Sequence, residues 1–210
     1  MSTPQISMKV RHLATQAQYS LIALVLVSVC SLRTLAQDAY SHTNQHNQGF
    51  TTDQQSILLK LVRDATARFK NVSQAEREHY NLLFGCVSGP DEGAMGLHFV
   101  NMDLLNEVNT SGKLDPRRPQ IVLYEAQPNG ALKLTGADFL VYAEAWDAIH
   151  PGVTPQLMGQ IFHYFEAPNR FGLPAFYTLH VWAWKDNPKG AFVNWHPNVS
   201  CQSFVGQTTP

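Results

Sequence analysis

The feature that most constrains the fold is a series of segments in which apolar residues alternate with other residues. Neighbouring side chains of a β-strand point to opposite faces, so alternation with a period of two predicts half-buried strands. Asn129 and Gly130 favour a hairpin between two of these strands because both residues tolerate positive φ. The predicted strands are Gly96–Asn101, Gln120–Ala126, Ala131–Thr135, Asp138–Trp146 and Ala175–Trp184.

A helical region precedes the strands. Apolar residues recur at helical spacing from Asp53 to Phe69, which is typical of an amphipathic helix. Ser73 followed by Glu76 forms a capping box, and this predicts a second helix from about Gln74 to Leu83. Helices followed by strands with short connections predict an α+β fold, in which an amino-terminal helical pair packs on a mostly antiparallel β-sheet.

The amino terminus has the pattern of a secretory signal peptide. Lys9 and Arg11 precede the nine-residue apolar run LIALVLVSV at 21–29, which as a helix spans about 14 Å, roughly half the hydrocarbon core of a bilayer. Thr34 and Ala36 supply small residues for cleavage after Ala36. An uncleaved anchor, a buried helix of the mature fold or a lipid on Cys30 are the alternatives. Cleavage leaves no stable membrane span and predicts a periplasmic or secreted protein.

The mature chain is predicted to be one domain with a disulfide. Residues 37–52 are polar and lack an apolar period, so we interpret 1–36 as signal peptide, 37–52 as a flexible polar arm and 53–210 as a single α+β domain. Cleavage leaves Cys86 and Cys201, and two cysteines in an exported chain favour a disulfide. Two buried free thiols, or one reactive thiol, are the alternatives.

The composition gives no support for nucleic acid as a partner. The chain has 15 Lys and Arg against 16 Asp and Glu, whereas phosphate binding requires a basic surface. At 44% hydrophobic residues the chain is also too apolar for intrinsic disorder. The sequence leaves the oligomeric state open.

The strand faces opposite the apolar faces carry the candidate ligand site. His180, Trp182 and Trp184 share one such face, while Asp138 and Glu144 share another. Glu125 and His98 lie on two other predicted strands, and an aromatic pocket with a few polar groups is the usual small-molecule site. We therefore expect a small molecule or metal ion to be bound, with ligand contacts from Trp182, Trp184, Glu125, Asp138 and Glu144.

The two histidines are candidate metal ligands. His98 and His180, with a carboxylate from Glu125, Asp138 or Glu144, would form a two-His-one-carboxylate site for a transition-metal cofactor. The chain lacks close ligand spacing such as His-Glu-x-x-His, and histidines on separate strands are often satisfied by hydrogen bonds instead. His163 and His196 are weaker candidates because each follows or precedes an aromatic residue and is expected to pack there.

Three classes of function stay open. The first is a binding protein, and the second is a periplasmic enzyme, either a hydrolase or a metal-dependent oxygenase, that uses the same pocket. The third is a structural or protein-interaction domain whose second sheet face binds a partner or the polar arm. Ser88 lacks the Gly-x-Ser-x-Gly context of a hydrolase nucleophile, and a carboxylate pair for sugar hydrolysis depends on a separation that the sequence does not give.

Several segments resemble a family of exported bacterial proteins. They are CVSGP at 86–90, GAMGLHFVN at 93–101, LYE at 123–125 and a long segment at 167–188 that contains LHVWAWKDNP. The resemblance covers about 65 to 201 and implies bacterial export and a single domain. The family has no established activity, so it implies no catalytic residue. At the corresponding strand the family that the chain resembles has Glu-Tyr, whereas this chain has Asp138-Phe139. The acidic group is therefore kept at this position.

Overall fold

Seven strands form a curled, mostly antiparallel sheet in the computed structural model, which describes residues 52–89 and 91–209. In chain order the strands are β1 (Tyr80–Gly89), β2 (Gly93–Asn101), β3 (Ile121–Ala126), β4 (Leu132–Tyr142), β5 (Gln156–Leu157), β6 (Gln160–Ile161), β7 (His163–Phe165), β8 (Phe176–Val181) and β9 (Thr208–Thr209). The order in the sheet is β7-β8-β4-β3-β2-β1-β9, and only β9 runs parallel to its neighbour β1. The strands β5 and β6 pair with each other outside this sheet.

Helices complete the α+β fold. Helix α1 spans residues 52–66 and continues into a 3₁₀ turn at Ala67–Lys70. The others are α2 (Val72–Arg77), α3 (Met102–Ser111) and α4 (Ala143–Ile149). The predicted second helix is wrong in its bounds, because α2 ends at Arg77 and β1 begins at Tyr80. Its N-cap is Asn71 rather than Ser73, since the Asn71 side chain accepts a hydrogen bond from the Ser73 backbone N–H.

Strand β4 joins two segments that the sequence separates. The predicted strands Ala131–Thr135 and Asp138–Trp146 are parts of one strand, Leu132–Tyr142, with a bulge where the register shifts between Leu123 and Tyr124 of β3. Gly136 permits this continuity, because a Cβ there would lie 2.3 Å from the Val181 carbonyl oxygen. The chain beyond Tyr142 turns into α4 instead of continuing the strand.

The two faces of the sheet have different neighbours. On one face, α1 buries Leu58 and Val62 against an apolar cluster from β4 and β8 that includes Phe139 and Leu179. Side chains alternate along a strand, so Asp138 and His180 belong to the opposite face. The fold therefore separates an apolar face under α1 from a face that carries the candidate site.

Cys86 of β1 and Cys201 are joined by a disulfide, the pairing that the sequence predicts. The carboxyl-terminal segment is also attached to β1 through β9, where Cys86 pairs with Thr208, and through the Thr209 hydroxyl, which donates to the Phe84 carbonyl. These links hold Cys201 and the strand Thr208–Thr209 against β1.

The predicted signal peptide (1–36) and nearly all of the polar arm (37–52) lie outside the described residues. Within residues 52–89 and 91–209, no helix is both long and apolar enough to cross a bilayer.

Candidate metal centre

The register of three strands brings His98, Asp138 and His180 together. Asp138 of β4 is paired directly with His180 of β8. His98 on β2 lies across β3 from them, where it pairs with Leu123, and Leu123 in turn pairs with Gly136. The site therefore takes one residue from each of β2, β4 and β8, and Gly136 adds no side chain to this face of β4.

The three side chains offer ligand atoms that all lie within 4.8 Å of one another. The His98 and His180 rings meet edge to face with centroids 5.7 Å apart, and Nδ1 of His180 is 3.5 Å from Oδ1 of Asp138. All three residues are buried, with exposed fractions of 6%, 2% and 2% for His98, Asp138 and His180. We call these three residues the buried triad.

Hydrogen bonding fixes the tautomer of His98. Its Nδ1 lies 3.1 Å from the Gly96 carbonyl oxygen. A carbonyl only accepts, so Nδ1 must carry the proton and Nε2 of the neutral ring is left with its lone pair. Metal-binding histidines commonly have this arrangement, in which the second ring nitrogen donates to the backbone.

His180 is the unusual member of the buried triad. Neither of its ring nitrogens has a hydrogen-bond partner among the described residues, although both are buried. A buried polar atom left in this state costs about 1–3 kcal/mol, and such atoms are rare in native proteins. The ring is therefore held at an energetic cost in a place where it can accept a ligand.

Asp138 is a carboxylate in an apolar setting. The Thr178 hydroxyl donates to its Oδ1 at 2.6 Å. Burial raises the pKa of Asp138 to about 6, while this hydrogen bond and the backbone N–H groups of Phe139 and Leu179 oppose the rise. Burial likewise lowers the pKa of His98 to about 4 and that of His180 to about 3. At neutral pH the triad is thus two neutral imidazoles and one carboxylate, the protonation state that metal binding requires.

These pKa values predict that acid destabilises the metal-free protein. Each histidine has a folded pKa below its unfolded value of about 6.5, so unfolding takes up two protons near pH 5. Asp138 has the opposite sign, since its folded pKa of about 6 lies above its unfolded value, and it offsets part of the effect. We expect the buried triad to lower the free energy of unfolding by about 2 kcal/mol between pH 7 and pH 5. Urea unfolding at both pH values checks this, and His180→Leu should remove much of the difference; an unchanged difference would contradict it.

The space at the buried triad suits an ion or water rather than an organic ligand. Its volume is about 30 Å³, which admits one or two water-sized particles, whereas small-molecule sites usually measure about 300–1,000 Å³. Apart from the triad and Thr178, the lining is apolar. It consists of Phe84, Met95, Ile121, Leu140, Phe165, Phe171, Leu173 and Phe176.

Two of the predicted ligand contacts are carboxylates that lie elsewhere. Glu125 accepts a hydrogen bond from Lys185 Nζ at 2.7 Å and another from the Ser200 backbone N–H, so it is engaged at the end of β3. Glu144 is exposed in the first turn of α4, because the chain has left the sheet by that point. These two carboxylates therefore supply no ligand to the site.

Trp184 does not lie on the site face either. The prediction of one strand over Ala175–Trp184 placed it there beside His180, and this is wrong. Strand β8 ends at Val181, and the Ala183 N–H donates to the Val181 carbonyl in a tight turn that resets the alternation. The Trp184 indole consequently packs on the α1 side, where Nε1 donates to the Thr66 hydroxyl at 2.9 Å.

Trp184→Phe tests this placement. Loss of the hydrogen bond to Thr66 should cost about 1 kcal/mol or somewhat more in the free energy of unfolding, since the hydroxyl is buried. Metal binding should be unchanged because Trp184 lies outside the cavity. Chemical unfolding and metal titration of the variant measure both quantities, and altered metal affinity would show that Trp184 belongs to the site.

Trp182 lies beside the buried triad without lining the cavity. Its ring centroid is 6.1 Å from that of His180 and 4.8 Å from that of His196, and Nε1 donates to the Val193 carbonyl. His196 is fixed on both sides, by the Asp186 carbonyl and by the Asn198 backbone N–H. Trp182 and His196 therefore support His180 by packing, while His163 is exposed on β7.

The comparisons with known proteins leave the function to be argued from this geometry. A scan of protein-family models and searches of curated proteins and solved structures find no match to the chain. The resemblance to exported bacterial proteins stays a prediction.

Proposed function

We propose that this protein is an exported protein that binds a transition-metal ion through His98, Asp138 and His180. The observation that carries the proposal is His180, a buried imidazole whose two nitrogens have no hydrogen-bond partner among residues 52–89 and 91–209. It lies beside a buried carboxylate and a second buried imidazole. A metal ion would bind one of the two unpartnered nitrogens and neutralise the carboxylate, and so would offset part of the cost of burying both groups.

The distances support a metal ion of ordinary size. Zn²⁺ lies about 2.0–2.2 Å from nitrogen and oxygen ligands, so two tetrahedral ligands are about 3.4 Å apart. The separation of 3.5 Å between His180 Nδ1 and Asp138 Oδ1 already matches this. The largest separation between ligand atoms of the triad is at most 4.8 Å. Small side-chain rotations that bring these atoms closer by about 1.4 Å would reach the tetrahedral separation.

The donor types favour borderline transition metals. Imidazole nitrogen suits Zn²⁺, Cu²⁺, Fe²⁺ and Ni²⁺, whereas Ca²⁺ takes six to eight oxygen ligands and Mg²⁺ prefers octahedral oxygen. The triad offers two nitrogens and one carboxylate. Three protein ligands also leave coordination positions open, as in catalytic metal sites.

Two separate features of the chain support export. The apolar run at 21–29 after Lys9 and Arg11 is typical of a signal peptide. The disulfide between Cys86 and Cys201 is a bond that persists chiefly in oxidising compartments such as the periplasm or the exterior. These features together favour a periplasmic or secreted location.

Titration of the untagged, chelator-treated protein with Zn²⁺ and Co²⁺ tests the proposed function. We expect one ion per chain, a rise in the melting temperature with added metal and a visible Co²⁺ spectrum from a site of low symmetry. An affinity tag must be absent because its histidines bind the same ions. Absence of stoichiometric binding by either ion, with no change in melting temperature, would refute the proposal.

A further inference from the structure

When the metal site proposed above is occupied, its ion and ligands together carry one positive charge that no other described group in the cavity balances. A divalent ion with Asp138 and two neutral imidazoles carries a net charge of +1. The other cavity-lining residues among those described are apolar or, in the case of Thr178, an uncharged hydroxyl. A buried charge without a partner is costly, so an anionic fourth ligand would be stabilised.

The walls limit the size and charge of such a ligand. The cavity of about 30 Å³ has room for about two water-sized particles. No Lys or Arg lines it within the described residues, so a second negative charge on the ligand would be buried without a partner. A bulky acid or dianion would therefore be rejected both by its volume and by its charge.

Phe84 lines the cavity, and its backbone there is strained. Leu83 pairs with His98 and Cys86 pairs with Leu97, so Phe84 and Gly85 are extra residues of a bulge directly beside His98. Phe84 has φ of 68°, a left-handed conformation that is costly for an aromatic residue. Its ring packs edge to face on Phe171 with centroids 5.9 Å apart, and both rings line the cavity.

We propose that the metal site takes a small monoanion, whose donor atom fits beside the ion, as its exogenous ligand, and that the aromatic wall at Phe84 and Phe171 disfavours larger and dianionic acids. The proposal rests on the proposed metal site. It concerns ligand selection, so metal binding and anion binding are measured separately.

The test uses the Co²⁺-loaded, untagged full chain, whose visible spectrum reports on the coordination of the ion. Azide is the small monoanion, and oxalate is the dianion. We expect azide to change the spectrum saturably, and oxalate to bind at least about tenfold more weakly. Phe84→Gly removes the ring and suits the left-handed backbone, so this variant should fold and should narrow the difference between the two anions. Leu82→Ala, an exposed position on the same strand, is the matched control and should behave as the wild type.

The outcomes separate the two proposals. If Co²⁺ does not bind, the proposed metal site fails and the ligand proposal fails with it. If Co²⁺ binds with one ion per chain but azide leaves the spectrum unchanged, or oxalate binds as tightly as azide, the ligand proposal alone is overturned. Loss of selectivity in Leu82→Ala as large as in Phe84→Gly would also overturn the role of the aromatic wall. Removal of cobalt by oxalate is detected by the metal content after gel filtration and counts against exclusion of the dianion.

Discussion

His180→Leu is expected to lower the affinity for Zn²⁺ and Co²⁺ by more than about 100-fold. Removal of a group that only orients a metal ligand already lowers metal affinity by about 10–100-fold, and His180 is proposed to be a ligand itself. The variant loses one of three ligands and leaves the ion with His98 and Asp138 alone. Competition with a chromophoric chelator measures the change in affinity. The metal-free variant should be at least as stable as the wild type. Leucine replaces two buried nitrogens, which have no hydrogen-bond partner in the part of the chain that the structure describes, with apolar groups.

This combination of lost affinity and preserved stability distinguishes a metal ligand from a structural histidine. His163→Gln is the matched control, since His163 is an exposed histidine on the strand beside β8, and it should keep the affinity of the wild type. Asp138→Asn should weaken binding as well, because it removes the only carboxylate of the triad. A His180→Leu variant that keeps its metal, or that loses several kcal/mol of stability without metal, would argue for a packing role.

Cys201→Ser should lower the free energy of unfolding by about 4–5 kcal/mol. The disulfide joins residues that are 115 positions apart, and closing so long a loop removes much of the conformational freedom of the unfolded chain. Cys201 also holds the segment that leads to β9 at the edge of the sheet. Urea unfolding without a reducing agent measures the loss.

The reduced wild type should match Cys201→Ser, because the same single crosslink is removed in both. Cys86→Ser should lose more stability than either, because Cys86 is fully buried and its replacement buries a serine hydroxyl. A loss below about 1 kcal/mol in Cys201→Ser would show that the crosslink contributes little to stability, contrary to the chain-entropy argument.

The class of fold could be predicted from the sequence because alternation is a local signal. His180 and Leu179, one residue apart, lie on opposite faces of β8 as the period of two requires. The end of a strand is a weaker signal. Trp146 fits an alternating pattern that starts at Asp138, but it lies four residues after Tyr142, so the same residues also suit the helix α4 that the structure contains.

The candidate site could be predicted only in part. The sequence identifies His98, Asp138 and His180 as candidate ligands, but their proximity depends on the register of three strands, which long-range packing determines. Phe84 could not be found from its sequence context, because the bulge that turns it toward His98 comes from the pairing of β1 with β2. The position of Trp184 could not be predicted either, because a turn after Val181 ends the strand. Residues 182–184 contain no Gly or Pro that would indicate this turn.

A crystal structure of the zinc-loaded protein, with data collected on both sides of the zinc absorption edge, would show which residues hold the ion. We expect one anomalous peak in the part of the chain described above, about 2.0–2.2 Å from Nε2 of His98, a ring nitrogen of His180 and a carboxylate oxygen of Asp138. A peak bound by other residues, with His180 still unpartnered among apolar side chains, would contradict this expectation.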